Sequence, residues 1–403
     1  MAVQTISPGV LEVGASHPER RLFDALMPTV HGTSYNSYVV QGTDATALLD
    51  PVDEVKASVL FANLEEAGIK RLDYIVNLHT EQDHSGSTRM LLERFPEARL
   101  VGTAKVAGLM ETHLHIAADR FQILKAGDRL ELGGKTLVCH PIPFAHWPDN
   151  TMYWLEEDRI LFSSDLFGAH YARPDNVFAT NSTELRQAAR AYFSEIMMPF
   201  STPVARFTKQ VRALNPAMIA PSHGQIWYDP DFILSRYERW TGSAKSRAVI
   251  IGYVSMHGST HRIVEKLAVE LARRGISVVC RNLVDDPADL MLESGQLIDD
   301  MVTAAAALIA TPTVLGGPHP AAAYLAVLMN ALKPGLRYLG VINSWGWQTK
   351  AAETINALTA NLRAERLSPL LVEGLPTQED EARIAAYAAE LADKLDAMED
   401  VLD

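Results

Sequence analysis

Leu78-His79-Thr80-Glu81-Gln82-Asp83-His84 packs four side chains able to bind a metal into six residues. It follows directly on Asp73-Tyr74-Ile75-Val76-Asn77-Leu78, an apolar run of strand length. A strand end that breaks into a tight loop fans successive side chains toward one point. Ligand types recur downstream: His146 in Phe144-Ala145-His146-Trp147-Pro148-Asp149, Asp165 in Phe162-Ser163-Ser164-Asp165-Leu166-Phe167-Gly168, and His223 in Pro221-Ser222-His223-Gly224. Any one of these alone reads as an ordinary core or surface residue. Several separate segments arriving in order point to a metal centre.

Outward from this stretch, residues up to about Gly242 alternate short apolar runs with turn clusters. Strands are expected at 46–49, 74–78, 100–103, 136–140, 151–155 and 160–162. That is a strand-rich layered α/β domain with its chemistry in loops at strand ends. At Thr241-Gly242-Ser243-Ala244-Lys245-Ser246 the composition turns small and polar, which places a linker there. Beyond it the pattern changes. Strands expected at 248–254, 278–283, 307–311 and 339–342 are joined or followed by helices at 260–274, 321–332, 351–363 and 379–398. Such alternation indicates a parallel, doubly wound sheet. Two domains are expected, 1–245 and 246–403.

The ligand spacing resembles that of the metallo-β-lactamase fold, whose first motif is H-x-H-x-D-H and whose later ligands are His, Asp and His. The resemblance covers residues 1–242. The departure is Glu81, where hydrolases of that fold carry His. A carboxylate in place of a neutral imidazole adds negative charge and hard oxygen donors, which shifts preference from zinc toward iron or manganese. The substituted motif, H-x-E-x-D-H, is the hallmark of flavodiiron proteins. That resemblance implies an N-terminal metallo-β-lactamase-like αββα sandwich followed by a flavodoxin-like doubly wound parallel sheet. It implies two non-haem irons per chain: His79, Glu81 and His146 on one, Asp83 and His223 on the other. Asp165 would be the bridge, shared by two metals about 3.5–4 Å apart. His84 matches the motif and either ligates or swings away. His170, in Phe167-Gly168-Ala169-His170, would stand near the irons as a hydrogen-bond donor.

In the second half, Ser255-Met256-His257-Gly258-Ser259-Thr260 lies between an expected strand and a helix. A hydroxyl- and glycine-bearing loop opening on a helix N-terminus is a phosphate cradle. It carries neither GxGxxG nor the lysine of a Walker loop, so one terminal phosphate, as on FMN, fits better than a dinucleotide. Alone, the loop reads equally well as a generic strand–turn–helix. Two further loops end successive strands: Thr311-Pro312-Thr313-Val314-Leu315-Gly316-Gly317-Pro318 and Asn343-Ser344-Trp345-Gly346-Trp347-Gln348. Ligands bind at the carboxyl ends of such strands, so these loops are expected to bracket the flavin ring. Trp345 and Trp347 either pack on that ring or fill the core. The flavodiiron resemblance extends from Arg247 onward, less literally: His257 stands where an aromatic is common, and Gly316-Gly317 replaces an Asn-rich stretch.

The net charge of −13 argues against non-specific binding to nucleic acid or an anionic membrane. The two cysteines, Cys139 and Cys280, form no CxxC, so they build neither a rubredoxin-type iron site nor a cysteine zinc site. With no disulfide framework, a reducing compartment, the cytoplasm, is expected. The N-terminus shows no basic segment followed by an apolar run. Residues 301–332 carry no Asp, Glu, Lys or Arg, but Thr311-Pro312-Thr313 and Gly316-Gly317-Pro318 break them below spanning length.

The resemblance therefore implies an oxidoreductase that reduces dioxygen to water, nitric oxide to nitrous oxide, or both. Electrons would pass through FMN from a separate donor: rubredoxin, a deazaflavin, or a flavin/NADH reductase. A head-to-tail homodimer would bring the FMN of one chain to the irons of the other. Against this stand a zinc hydrolase with a regulatory flavodoxin-like domain and a gas or redox sensor. Glu81 favours the reductase; the liganding residues leave the choice of gas open.

Overall fold

The apolar runs of the first part become the strands of two sheets. In the computed structural model, which describes residues 3–172, 176–180, 182–285 and 290–402, the first sheet runs Gln4–Ser7, Val10–Glu12, Tyr38–Gln41, Thr46–Leu49, Tyr74–Val76, Arg99–Gly102, Phe121–Ile123. It is antiparallel up to Thr46–Leu49 and parallel beyond. The second runs Arg129–Glu131, Thr136–Pro141, Thr151–Leu155, Ile160–Phe162, Met218–Ala220, with only its last pairing parallel. Side chains alternate faces along a strand, and the apolar faces meet. Val40, Leu49, Val76 and Val101 of one sheet share a core with Leu137, Tyr153, Leu155 and Phe162 of the other. Helices such as Ala57–Glu66 and Ala104–Leu114 connect strands of the first sheet and complete an αββα sandwich.

The second sheet system is parallel. Its order is Ser277–Asn282, Ser246–Tyr253, Ala304–Val314, Tyr338–Trp345, and Glu365–Arg366 and Leu370–Glu373 both pair with the last of these. Taken in chain order this is 2-1-3-4-5, the flavodoxin-like arrangement. The central strand is covered on both faces, which is why Ala304 to Ala310 is unbroken apolar sequence. On one face, the helices Leu290–Met301 and Pro320–Leu332 approach so closely that a β-carbon on Gly252 would collide with Leu297 and Leu325. On the other, Ile263 and Leu267 of Ser259–Ala272 pack with Ile384, Ala388 and Leu391 of Gln378–Asp396. That last helix opens on a capping box in which Thr377 and Asp380 satisfy each other's backbone N–H.

The chain divides into two compact units: Met1–Ala25, Thr29–Phe193 and Phe200–Thr241 form one; Leu26–Pro28, Ser194–Pro199 and Gly242–Asp403 the other. Two short segments from the first half of the sequence thus belong to the flavodoxin-like unit. The expected helix at 351–363 stops at Leu358, where the Thr359 hydroxyl turns back to donate to the Ile355 carbonyl. The strand expected at 307–311 runs over Ala304–Val314. No described helix is long and apolar enough to cross a membrane.

Candidate metal centre and flavin cleft

His79 follows the strand Tyr74–Val76, as its position after an apolar run predicts, but the next residues are not a plain loop. Gln82–Ser85 coil into one helical turn with Glu81 at its N-cap. That turn separates the ligand types. Glu81 stays with His79, at 3.2 Å between Oε2 and Nε2, and with His146, at 3.4 Å. Asp83 and His84 are carried toward His223, whose Nε2 lies 3.1 Å from Asp83 Oδ2. Two ligand groups result at the ends, His79–Glu81–His146 and Asp83–His84–His223, and a third, His79–His84–Asp165, spans them. Asp165 stands between them. Its Oδ2 lies 3.7 Å from His79 Nε2 and 3.4 Å from His146 Nε2, and its Oδ1 lies 3.0 Å from His84 Nε2 and 3.4 Å from His223 Nε2. One carboxylate oxygen therefore faces each group. His84 points inward with the rest.

The imidazoles are held from behind. Asp149 Oδ2 lies 3.0 Å from His79 Nδ1 and also accepts from the Thr80 N–H and hydroxyl. Asp50 Oδ2 lies 3.0 Å from His84 Nδ1 and accepts from Ser222, while its Oδ1 accepts from the Leu78 N–H. The Ser34 carbonyl is 2.7 Å from His223 Nδ1. Each contact fixes a ring with Nε2 toward the centre. Asp165 is braced likewise: Tyr192 donates to Oδ1 at 2.9 Å and Asn150 Nδ2 to Oδ2 at 3.1 Å. His170 is buried, bonds Thr33 Oγ1 through Nδ1 at 2.9 Å, and packs against Phe23 with centroids 4.3 Å apart and the rings tilted by 35°. Its ring is 5.4 Å from that of His223.

Asp50, Asp149, Asn150 and Tyr192 were not singled out from the sequence. Asp50 and Asp149 carried a signal, since each follows a strand or a ligand within a few residues. Tyr192 carried none, because only the tertiary fold brings its helix to Asp165.

The donor set fits a pair of cations. Asp83 Oδ1, His84 Nε2 and His170 Nε2 are buried and make no hydrogen bond of good geometry among the described residues; such atoms are costly unless something satisfies them. Charge gives the same answer. Burial pushes His79 down, but hydrogen bonds that its ring donates to Asp149 and Glu81 outweigh it and lift it to about 10. His223 is likewise lifted against burial, to about 9, by Asp165 and Asp83. Burial raises Asp165, yet His84, His146 and His223 hold it well below the usual carboxylate range. Protonated histidines thus balance the carboxylates, a role that metal cations take over with release of those protons.

In the flavodoxin-like unit, a cleft is lined by Met256, His257, Ser259, Thr260, Pro312, Thr313, Ser344, Trp345, Gly346 and Gly374. All three loops picked from the sequence reach it. Gly258, with φ +87°, forms the N-cap of Ser259–Ala272, and Thr260 Oγ1 is 2.8 Å from Ser344 Oγ. Ser255 stands behind the loop, its hydroxyl accepting from the His261 N–H. Val314, Leu315, Gly316 and Trp347 do not line the cleft; Leu315 is fully exposed and Trp347 is 83 % exposed, so neither packs in a core. Gly374, which sequence reading missed, ends the strand Leu370–Glu373 beside Trp345. No lining residue is Asp, Glu, Lys or Arg. Neutral hydroxyls at a helix N-terminus, in a cleft that opens where strands end near Thr313 and Trp345, fit a flavin mononucleotide.

The sequence family described as ODP family beta lactamase matches residues 33–224. The chain is 35 % identical to the coenzyme F420H2 oxidase of Methanothermobacter marburgensis, over 82 % of this chain and 83 % of that one. The chain belongs to the flavodiiron protein family. It is also 33 % identical to the anaerobic nitric oxide reductase flavorubredoxin of Aliivibrio fischeri, over 81 % of this chain and 66 % of that one. Among solved structures, rubredoxin oxygen:oxidoreductase from Desulfovibrio gigas superposes with a TM-score of 0.91 at 25 % identity, covering 98 % of this chain and 99 % of that one. As a flavodiiron protein the chain is an oxidoreductase whose cofactors are FMN and a non-haem di-iron centre. The zinc-hydrolase alternative falls with that membership.

Proposed function

We propose that this chain reduces dioxygen to water, nitric oxide to nitrous oxide, or both, at the ligand groups on either side of Asp165. Glu81 is the observation that carries the reading. It puts a carboxylate where the hydrolases of this fold have imidazole, and it sits within reach of both His79 and His146. In this reading His79, Glu81 and His146 hold one iron, Asp83, His84 and His223 the other, and Asp165 is shared. Bound FMN supplies electron transfer to the irons, and the bound irons supply gas reduction.

The chain's own residues keep that chemistry in place. Asp149, Asp50 and the Ser34 carbonyl lock three imidazoles, and Tyr192 and Asn150 each brace one oxygen of Asp165. Phe23 and Tyr35, both buried, pack edge-to-face with His223. In the cleft, the Ser259–Thr260 start of the helix holds the phosphate, and Pro312, Thr313, Trp345 and Gly346 receive the ring.

We infer a separate electron donor and a cytoplasmic location. The Methanothermobacter relative's name supports a reduced deazaflavin, and the Desulfovibrio structure's name supports rubredoxin. We also infer a head-to-tail homodimer in which each flavin serves its partner's metal centre. The exposed apolar side chains near the cleft, Met256, Leu315 and Trp347, support a surface that is covered in the assembly.

Turnover tests the proposal, with the bound FMN chemically reduced under anaerobic conditions before each gas is admitted in turn. Consumption of at least one gas, with water rather than peroxide as the dioxygen product and about two irons per chain, is expected. Stoichiometric zinc with no gas consumption after growth in iron would overturn it.

A further inference from the structure

Beneath the ring end of the flavin cleft lies a closed set of hydrogen bonds that the cofactor reading does not use. Asn343 is fully buried at the end of Tyr338–Trp345. Its Nδ2 donates to the Thr311 carbonyl at 2.9 Å, which fixes the amide orientation, because a carbonyl only accepts. The same nitrogen lies 3.1 Å from Thr313 Oγ1 and 3.1 Å from the Ser344 carbonyl. The amide oxygen accepts from the Thr349 hydroxyl at 2.8 Å. Thr349 Oγ1 in turn accepts from the Ala351 N–H at 3.0 Å and lies 2.9 Å from Thr313 Oγ1.

Counting protons singles out one group. The Thr349 proton is committed to Asn343, and one Asn343 proton is committed to Thr311. The other amide proton is shared between Thr313 Oγ1 and the Ser344 carbonyl, each 3.1 Å away, and the Thr313 hydroxyl keeps one proton of its own to donate. Of the three side chains in the set, Asn343, Thr313 and Thr349, Thr313 is the one that lines the cleft. Its proton has three destinations: Thr349 Oγ1 at 2.9 Å, the Asn343 amide oxygen at 3.3 Å, or a ring atom of whatever fills the cleft.

Resting on the FMN reading above, we propose that the Thr313 hydroxyl is a rotating donor that tunes the flavin's reduction potential. Asn343 anchors it, and Thr349 Oγ1 and the Asn343 amide oxygen are its alternative acceptors. A flavin with its phosphate at the start of Ser259–Ala272 directs its ring toward Pro312, Thr313 and Trp345. The reduced ring is richer in electrons than the oxidised ring and accepts hydrogen bonds more strongly, as charged acceptors do. A hydroxyl free to turn toward it therefore favours reduction and raises the potential. Asn343 and Thr349 act as positioning residues through Thr313.

The test is the midpoint potential of bound FMN, measured anaerobically with equilibrating dyes on reconstituted protein, alongside FMN affinity. Thr313→Val removes the hydroxyl and keeps the shape. It is expected to lower the preference for reduced over oxidised FMN about tenfold, which is about 30 mV for a two-electron couple. Thr313→Ser restores the wild-type value. Thr349→Val removes the nearer of the two competing acceptors and is expected to keep the potential at or above the wild-type value; a fall as large as that of Thr313→Val would overturn the inference. Thr313→Val with the wild-type potential overturns the inference. So does equal weakening of both redox forms in the two valine variants, which marks a packing role. Wild-type protein that binds no FMN would sink the proposed function itself, and is distinguished from these outcomes by the binding measurement.

Discussion

Replacing Glu195 with glutamine is expected to stabilise the flavodoxin-like unit at neutral pH. Glu195 lies in the π-helical turn Phe193–Met197, among Leu26, Met27, Pro28, Met291, Tyr324, Leu328 and Leu332. Its Oε1 sits so close to Gly295 that a β-carbon there would be 2.9 Å away. Among the described residues no hydrogen bond to its carboxyl is present. Burial, and then the charge of Asp299, pushes it up to about 8. In the unfolded chain it ionises near 4.3. The folded-state value is raised, so its contribution is fully present below about pH 4.3 and is lost as the pH rises toward 8. At pH 7 the unfolded chain has released the proton that the folded one still holds. The gap of roughly 2.7 pH units is worth about 3 kcal/mol of stability, relative to pH 4. Glutamine keeps the volume and carries no titrating proton. Denaturation at a series of pH values, followed by release of bound FMN, should show a falling midpoint from pH 5 to 8 in the wild type. The Glu195→Gln curve should be flatter and lie higher at pH 7. Parallel pH slopes in the two proteins would refute the reasoning.

Asp165→Asn should leave the fold intact and strip at least half of the iron, read by elemental analysis beside circular dichroism; full iron content would show that the carboxylate is not shared. Asp149→Asn, replacing a carboxylate that bonds only His79 and Thr80 among the described residues, should weaken metal binding roughly 10–100-fold without abolishing it, measured by competition with a chelator; unchanged affinity would mean that His79 needs no brace. Mixed dimers test the cross-subunit path. A chain with Asp165→Asn and His146→Ala, combined with one carrying Ser259→Asp and Thr260→Asp, should regain gas reduction that neither parent shows. Inactive mixed dimers would place the electron path within one chain.

The ligand types were legible because they cluster after apolar runs, where the strand period ends and side chains converge. What was hidden is the helical turn Gln82–Ser85, too short to leave a periodic pattern, and it is this turn that sorts Glu81 from Asp83 and His84. The parallel sheet was legible from strand–helix alternation, but two elements escaped. Leu290–Met301 contains Ser294 and Gly295, poor helix formers kept in a helix by tertiary packing around Leu297 and Met301. Leu370–Glu373 is a short run just after Pro369 that gains its strand identity only by pairing with Ile342 to Trp345. The braces Asp50 and Tyr192 depend on partners 34 and 27 residues away in sequence, a distance over which a single sequence carries no local signal.

The flavin cleft is uncharged throughout its lining except for what His257 can carry. A phosphate held by hydroxyls and by the dipole of a helix start has no counter-charge that dissolved ions could displace. Salt instead screens the chain's own net charge of −13, which opposes a phosphate's approach. The cofactor's residence should therefore hold steady or lengthen as ionic strength rises, the reverse of a site built on arginine or lysine. A cell whose salt content swings would keep such a protein loaded.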